Sequence, residues 1–107
     1  DRGSQFGYNN LVSDMRSIPI MQELGYPVVF DATHSAQLPG GNNSRSGGMR
    51  SMIPTLAKSA VAAGCNGLFM EVHDNVKTAK SDSSTQWPLD KLESLLIQIK
   101  KIREVLK

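Results

Sequence analysis

Three side chains of this sequence could together hold a divalent metal ion: His34, Glu71 and Asp82. His34 and Glu71 each lie at the end of a short apolar run, and Asp82 lies in a polar loop further along the chain. Because parallel strands present their carboxyl ends at one edge, we expect all three side chains to meet there. One imidazole with two carboxylates suits manganese, iron, cobalt or zinc.

Each of these residues also has a purely structural interpretation. His34 could be a hydrogen-bonded histidine of the core, Glu71 an ion-pair partner, and Asp82 a loop or capping residue. Their spacing matches no local metal-binding signature, so the residue types alone leave both interpretations open.

Two arginines are candidates for binding a phosphate or carboxylate group, which a guanidinium contacts through two parallel hydrogen bonds. Arg2 lies in a glycine-bearing loop at the same expected edge, whereas Arg50 is expected to be a surface residue of its helix. His73 either supports the site or faces the ligand. Cys65 precedes its strand and therefore lies at the opposite end, so we assign it no catalytic role.

Two buried strands are predicted to position these side chains. The first covers residues 27–31, an apolar run between two glycines that is typical of a strand covered on both faces. The second covers residues 67–72 and ends in Glu71 and His73. Between them, residues 36–48 form a long glycine-rich loop, which is either a lid over the site or a disordered insertion.

Helical segments are predicted before, between and after these strands. A helical face begins at residue 11, is broken at Pro19 and continues as a short helix that ends at Gly25. A second helix covers residues 49–63 and ends at Gly64, and a third begins at Pro88. The inward positions are expected to be Ile20, Met21 and Leu24; Met52, Ile53, Leu56, Ala60 and Ala63; and Leu89, Leu92, Leu96, Ile99 and Ile102, with Leu95, Val105 and Leu106 widening the last stripe.

This alternation of helices and strands indicates an α/β fold with parallel strands and right-handed crossovers. Two strands cannot close a barrel, and the chain begins at Asp1 without a methionine, so we expect a piece of a longer protein. The last helix is basic and amphipathic, and we prefer an outer helix packed on a sheet to a membrane or partner helix.

Composition excludes several classes of protein. Twelve basic and 10 acidic side chains leave a charge of +2, too little to indicate a nucleic-acid partner. A single cysteine excludes an internal disulfide and favours a reducing, cytoplasmic setting. The sequence contains no apolar run of the roughly 20 residues that a membrane helix needs.

The motifs resemble, in order and spacing, those of the 3-deoxy-D-manno-octulosonate-8-phosphate synthase family. The matching stretches are Asp1-Arg2-Gly3-Ser4-Gln5-Phe6-Gly7-Tyr8-Asn9-Asn10-Leu11, Phe30-Asp31-Ala32-Thr33-His34-Ser35, Gln37-Leu38-Pro39-Gly40-Gly41, Ser46-Gly47-Gly48-Met49-Arg50, Phe69-Met70-Glu71-Val72-His73 and Ser81-Asp82-Ser83-Ser84-Thr85-Gln86. The resemblance implies that residues 1–107 are the carboxyl-terminal part of one (β/α)₈ TIM-barrel catalytic domain, with strands seven and eight and their helices.

The resemblance also implies an activity, that of a transferase in lipopolysaccharide biosynthesis. Such an enzyme condenses phosphoenolpyruvate with arabinose 5-phosphate and water and releases phosphate. By motif position Arg2 would bind phosphoenolpyruvate, while His34, Glu71 and Asp82 would bind the metal, and His34 and Asp82 would also act on the substrates. Residues 36–48 would form the lid, and the enzyme would be a cytoplasmic homotetramer.

Metal dependence is not decided by these three residues, because the resemblance implies that metal-independent members keep them too. Ser81 and the Asp82–Gln86 loop look more like metal-dependent relatives, so a divalent metal is expected.

Two alternative functions stay open at this point. The sister 3-deoxy-D-arabino-heptulosonate-7-phosphate synthase would use erythrose 4-phosphate, and a non-catalytic α/β module would bind an anion or a partner.

Overall fold

The computed structural model describes residues 5–6, 11–38, 47–48, 50–74 and 86–106. Three helices lie in this part of the chain: α1 (Ser17–Gln22), α2 (Ile53–Ala62) and α3 (Leu92–Val105). The strands are β1 (Gln5–Phe6), β2 (Leu11–Val12), β3 (Val29–Asp31), β4 (Gln37–Leu38), β5 (Gly47–Gly48), β6 (Gly67–Phe69), β7 (Val72–His73) and β8 (Trp87–Pro88). Short 3₁₀ turns cover His34–Ala36, Arg50–Met52 and Leu89–Lys91.

The centre of the fold is the parallel pair β3–β6, which confirms the predicted parallel arrangement. Phe30 is aligned with Leu68, and Asp31 with Phe69. Side chains alternate along each strand, so Phe30 and Leu68 share the face that packs against the helices. Val29 and Phe69 share the other face and are 52% and 48% exposed. Of the two covered faces predicted for β3, the described part of the chain therefore covers one.

The helices cover one face of this pair and form a single apolar core. Helices α2 and α3 pack against one another, and α2 also contacts β6. The buried apolar side chains are Ile18, Val28, Phe30, Ala32, Ala36, Ile53, Ala57, Ala60, Val61, Cys65, Leu95 and Ile99. This core fixes the strand ends, where the polar side chains lie.

The first predicted helical face was wrong. Leu11–Val12 is strand β2 and pairs antiparallel with β1. Helix α1 begins at Ser17, so Pro19 lies in its first turn, where a missing N–H costs nothing. Ile18 enters the core and the predicted Met21 packs against it, whereas Ile20 and Leu24, also predicted to face inward, are 61% and 75% exposed.

Helix α2 agrees better with its pattern. The predicted Ile53 and Ala60 are buried, Leu56 and Ala63 are partly buried, and Met52 is exposed in the turn before the helix. The predicted stop is confirmed, because Gly64 has φ +95°, a left-handed conformation that favours glycine.

Helix α3 begins later than predicted. Pro88 has an extended ψ of 131° and pairs within β8, and a 3₁₀ turn separates it from Leu92. The buried stripe is Leu95 and Ile99, with Ile102 partly buried, whereas the predicted Leu89 and Leu96 are 53% and 45% exposed. Val105 and Leu106, expected to widen the stripe, are also exposed. Two apolar stripes of similar width run along this helix, and helical spacing cannot tell which one meets α2.

Two further features bear on the sequence predictions. The two ends of the glycine-rich loop pair with each other, because β4 and β5 form an antiparallel pair with Gln37 opposite Gly48. Residues 39–46 of that loop lie outside the described residues, so its role as a lid stays a prediction. Within the described ranges, no helix has the length and apolar character needed to cross a membrane.

Candidate functional site

The site is organised around a tight turn at the carboxyl end of β3. Asp31 is the last residue of the strand, and its Oδ1 accepts three hydrogen bonds. The donors are the Thr33 backbone N–H at 3.2 Å, the Thr33 hydroxyl at 3.1 Å and the His34 backbone N–H at 3.0 Å. An aspartate that binds backbone groups two and three residues onward caps the turn that follows. Local chemistry therefore ends the strand and begins the 3₁₀ turn at His34.

The imidazole of His34 lies between two carboxylates. Its Nδ1 is 2.6 Å from Asp31 Oδ2, and its Nε2 is 3.1 Å from Glu71 Oε1. The residue is 9% exposed, and its ring stacks beside Phe69 with the ring centroids 6.1 Å apart. Polar contacts at both nitrogens and an aromatic ring on one side leave the imidazole little freedom to turn.

Glu71 is held by contacts from three directions. The Thr33 hydroxyl accepts a long hydrogen bond of 3.4 Å from the Glu71 backbone N–H. The Glu71 carbonyl accepts the Trp87 N–H at 2.8 Å, and Gln86 Nε2 donates to Glu71 Oε2 at 3.3 Å. The backbone and side chain of Glu71 thus join the ends of β3 and β6 to the start of β8.

Arg50 connects the same region to the start of α2. Its Nε donates a 2.8 Å hydrogen bond to the backbone carbonyl of Gln86, a residue that is itself buried. This contact differs from the surface position expected for Arg50. It places the Arg50 guanidinium beside the backbone of Gln86, whose side chain contacts Glu71.

The contact between His34 Nε2 and the Glu71 carboxylate is unfavourable when the imidazole is neutral. Because Asp31 can only accept hydrogen bonds at Nδ1, a neutral His34 would direct the lone pair of Nε2 at the Glu71 carboxylate. A second proton on the ring or a cation bound between the two groups would make the contact favourable. Imidazole nitrogen and carboxylate oxygen are suitable ligands for zinc, iron, manganese or cobalt. The two described donors, His34 and Glu71, are therefore of the types that bind a divalent metal ion.

The predicted site residues are placed as follows. His34 and Glu71 meet, as the convergence of strand ends requires. Asp82 and Arg2 lie outside the described residues, so the full triple and the anion-binding arginine stay predictions. Among the described residues alone, no three side chains of the metal-binding types are grouped to hold an ion.

His73 and Cys65 were the two other residues considered from the sequence. His73 Nδ1 is 3.2 Å from Asp74 Oδ1. Cys65 is buried just before β6, at the end of the strand pair away from His34, and burial raises the pKa of its thiol. This is the position predicted for Cys65 from the sequence.

Sequence reasoning missed Asp31, Thr33 and Gln86. The signal for the first two was present, because Asp-x-Thr-His at the end of an apolar run is suited to a capped turn. No local signal marks Gln86, which reaches Glu71 only through the pairing of β7 with β8.

Comparison with known proteins gives a consistent result. Residues 1–107, the whole chain, match the DAHP synthetase I family. The chain is 61% identical over 107 residues to the 2-dehydro-3-deoxyphosphooctonate aldolase of Legionella pneumophila (strain Lens), covering 100% of the chain and 39% of that protein.

Other similar proteins carry the same name. The aldolase of Acidithiobacillus ferrooxidans is 59% identical over 107 residues, covering 100% of the chain and 38% of that protein. The aldolase of Protochlamydia amoebophila is 60% identical over 106 residues, covering 99% of the chain and 38% of that protein. The chain thus spans about two fifths of the length of the curated relatives it matches.

Proposed function

Since this chain belongs to the DAHP synthetase I family, we propose that it supplies the carboxyl-terminal part of a 3-deoxy-D-manno-octulosonate-8-phosphate synthase. The observation that carries the proposal is the identity of about 60% along the whole chain to proteins named 2-dehydro-3-deoxyphosphooctonate aldolase. The meeting of His34 and Glu71 at adjacent strand ends supports it, because an α/β enzyme places its chemistry there.

The proposed reaction joins phosphoenolpyruvate to arabinose 5-phosphate. Carbon three of the enol forms a bond to the aldehyde carbon of the sugar, water adds at carbon two, and phosphate is expelled. The products are 3-deoxy-D-manno-octulosonate 8-phosphate, a precursor of lipopolysaccharide, and inorganic phosphate. Catalysis of this kind depends on holding two anionic substrates in register and on stabilising the charge that develops between them.

The residues of this chain have distinct proposed roles. Arg2 would bind phosphoenolpyruvate through its guanidinium, and Asp82 would approach the sugar phosphate or the attacking water. His34, Glu71 and Asp82 would hold a divalent metal ion, and the contact between His34 Nε2 and Glu71 Oε1 supports the first two as neighbouring ligands. When bound, such an ion supplies positive charge that orients and polarises a substrate oxygen.

The proposed architecture is a (β/α)₈ barrel in which β3 and β6 are strands seven and eight. In this arrangement one face of each strand packs on helices and the other faces the barrel interior. The helix-covered face with Phe30 and the open face with Val29 and Phe69 support this assignment. A cytoplasmic homotetramer is part of the same proposal.

The test is phosphoenolpyruvate consumption by the full-length protein that carries this sequence. Arabinose 5-phosphate and erythrose 4-phosphate are offered separately, each with and without a metal chelator. Turnover with arabinose 5-phosphate that the chelator abolishes and a divalent metal restores is the expected result. Chelator-resistant turnover would keep the reaction and remove the metal.

The other outcomes separate the alternatives. A preference for erythrose 4-phosphate would assign the protein to the heptulosonate synthase, whose name the family description shares. Absence of turnover with both sugars would leave a non-catalytic α/β module that binds an anion.

A further inference from the structure

We infer that Asp31 is a positioning residue that fixes the ring of His34 and decides which imidazole nitrogen faces Glu71. The inference deepens the proposed function and rests on it for its catalytic consequence. Asp31 contacts Nδ1 of His34, whereas Glu71 contacts the other ring nitrogen, Nε2.

Both oxygens of the Asp31 carboxylate are engaged. Oδ1 accepts hydrogen bonds from the Thr33 backbone, the Thr33 hydroxyl and the His34 backbone. Oδ2 lies 2.6 Å from His34 Nδ1, slightly closer than the roughly 2.7–2.9 Å of most charge-assisted N–H···O hydrogen bonds. The carboxylate cannot rotate away from the ring without losing the contacts that cap the turn. The same group therefore shapes the backbone at His34 and orients its side chain.

The charge of Asp31 also selects the position of the ring proton. An ionised carboxylate can only accept, so Nδ1 must carry the hydrogen of this contact. Nε2 then becomes the nitrogen that faces Glu71 Oε1, 3.1 Å away. A carboxylate that binds the far nitrogen of a metal-ligating histidine fixes its tautomer and strengthens it as a ligand.

Thr33 extends this control to Glu71. Its side chain is fully buried, donates to Asp31 Oδ1 and accepts from the Glu71 backbone N–H. The positions of the imidazole and of Glu71 are therefore set by one connected group of contacts. A turn cap whose role was limited to the backbone would need no contact with the ring.

The substitution Asp31→Asn separates the effect of Asp31 on the His34 ring from its effect on the turn that it caps. The amide oxygen can still accept the three hydrogen bonds made to Oδ1, so the turn is expected to persist. The amide nitrogen, however, would donate to Nδ1 and drive the ring proton to Nε2. Nε2 would then have no lone pair for a metal or for a proton from a substrate.

The experiment uses the full-length protein labelled with ¹⁵N-histidine and loaded with zinc. Long-range ¹⁵N–¹H correlation spectra report whether Nδ1 of His34 carries a proton, and His34→Gln identifies the signal. We expect a protonated Nδ1 in the wild type and an unprotonated Nδ1 in Asp31→Asn.

We also expect kcat to fall by roughly 10–100-fold in Asp31→Asn, the usual effect of removing such a partner, with a smaller change in KM. Asp90→Asn, at an exposed position, is the matched control and should change neither quantity.

Three results would overturn the inference: an unprotonated Nδ1 in the wild type, a protonated Nδ1 in folded Asp31→Asn, or an unchanged kcat in that variant. The wild-type spectrum decides the first point even if the variant does not fold. A wild type that shows the expected spectrum but consumes no phosphoenolpyruvate would refute the proposed function and leave the orientation of His34 established.

Discussion

His34 Nε2 and Glu71 Oε1 lie 3.1 Å apart, although strands β4, β5 and β6 and helix α2 lie between the two residues in the sequence. The parallel register of β3 and β6 produces this contact, because it brings both strand ends to one edge. The two side chains also differ in accessibility, with the Glu71 side chain 27% exposed and that of His34 11%. Glu71 is thus the more accessible member of the pair, and a ligand at this edge could reach it.

Glu71→Gln removes the charge and keeps the shape of the side chain. We expect the affinity for a divalent metal to fall by more than the roughly 10–100-fold that loss of an outer partner costs, because a proposed ligand is removed. Competition with a chromophoric chelator measures the affinity, and phosphoenolpyruvate consumption measures kcat. Glu93→Gln, on the exposed side of α3, is the matched control. Equal metal affinity in Glu71→Gln and the wild type would contradict the proposed ligand role.

Arg50→Lys tests the connection between α2 and the segment that holds Glu71. Lysine keeps the charge but lacks the Nε that donates to the Gln86 carbonyl at 2.8 Å. A hydrogen bond to a charged group contributes about 1.5–3 kcal/mol, so we expect a loss of free energy of unfolding in that range. Urea unfolding measures it. Arg16→Lys is the control, since the Arg16–Asp14 pair is exposed and its replacement should leave the unfolding midpoint unchanged.

Val29→Thr tests the proposed barrel. Val29 is 52% exposed in the described part of the chain, on the face that a barrel would enclose. If that face is enclosed in the full-length protein, the buried hydroxyl should lower the free energy of unfolding by about 1–3 kcal/mol. Val105→Thr, at a position 81% exposed on α3, should change it by less than about 0.5 kcal/mol. Equal small effects at both positions would argue against a closed barrel.

The parallel strand pair and the position of the site could be predicted from the sequence, for a physical reason. A continuous apolar run such as residues 27–30 is typical of a strand, and polar residues that follow it must lie at its end. The left-handed conformation of Gly64 after α2 was predictable in the same way, because other residues rarely adopt it.

The errors concern choices that depend on the rest of the fold. Leu11 and Val12 are compatible with a helix or a strand, and pairing with β1 decides between them. Leu92, Leu95 and Leu96 of α3 offer two apolar stripes, and packing against α2 selects the one that contains Leu95. The role of Asp31 was missed for a different reason: its three capping contacts are local, but its contact with the ring depends on the side-chain conformation of His34.

Cys65 provides a prediction for pH dependence. Burial raises the pKa of this thiol above its usual 9.0, an effect that the positive charge of Arg103 partly offsets. The fold therefore favours the neutral thiol, and this contribution to stability is present below pH 9.0 and is lost as the pH rises toward the pKa of the folded state. Urea unfolding at pH 8 and pH 10 should show a larger loss of stability in the wild type than in Cys65→Ala, where this thiol is absent. Other titrating groups cancel in this difference.

Alkylation of Cys65 by iodoacetamide at pH 8, followed by mass spectrometry of its peptide, should be slow in the native protein and fast in urea. Rapid native alkylation, or identical pH dependence in the two proteins, would show that the thiol is accessible and that its pKa is not raised.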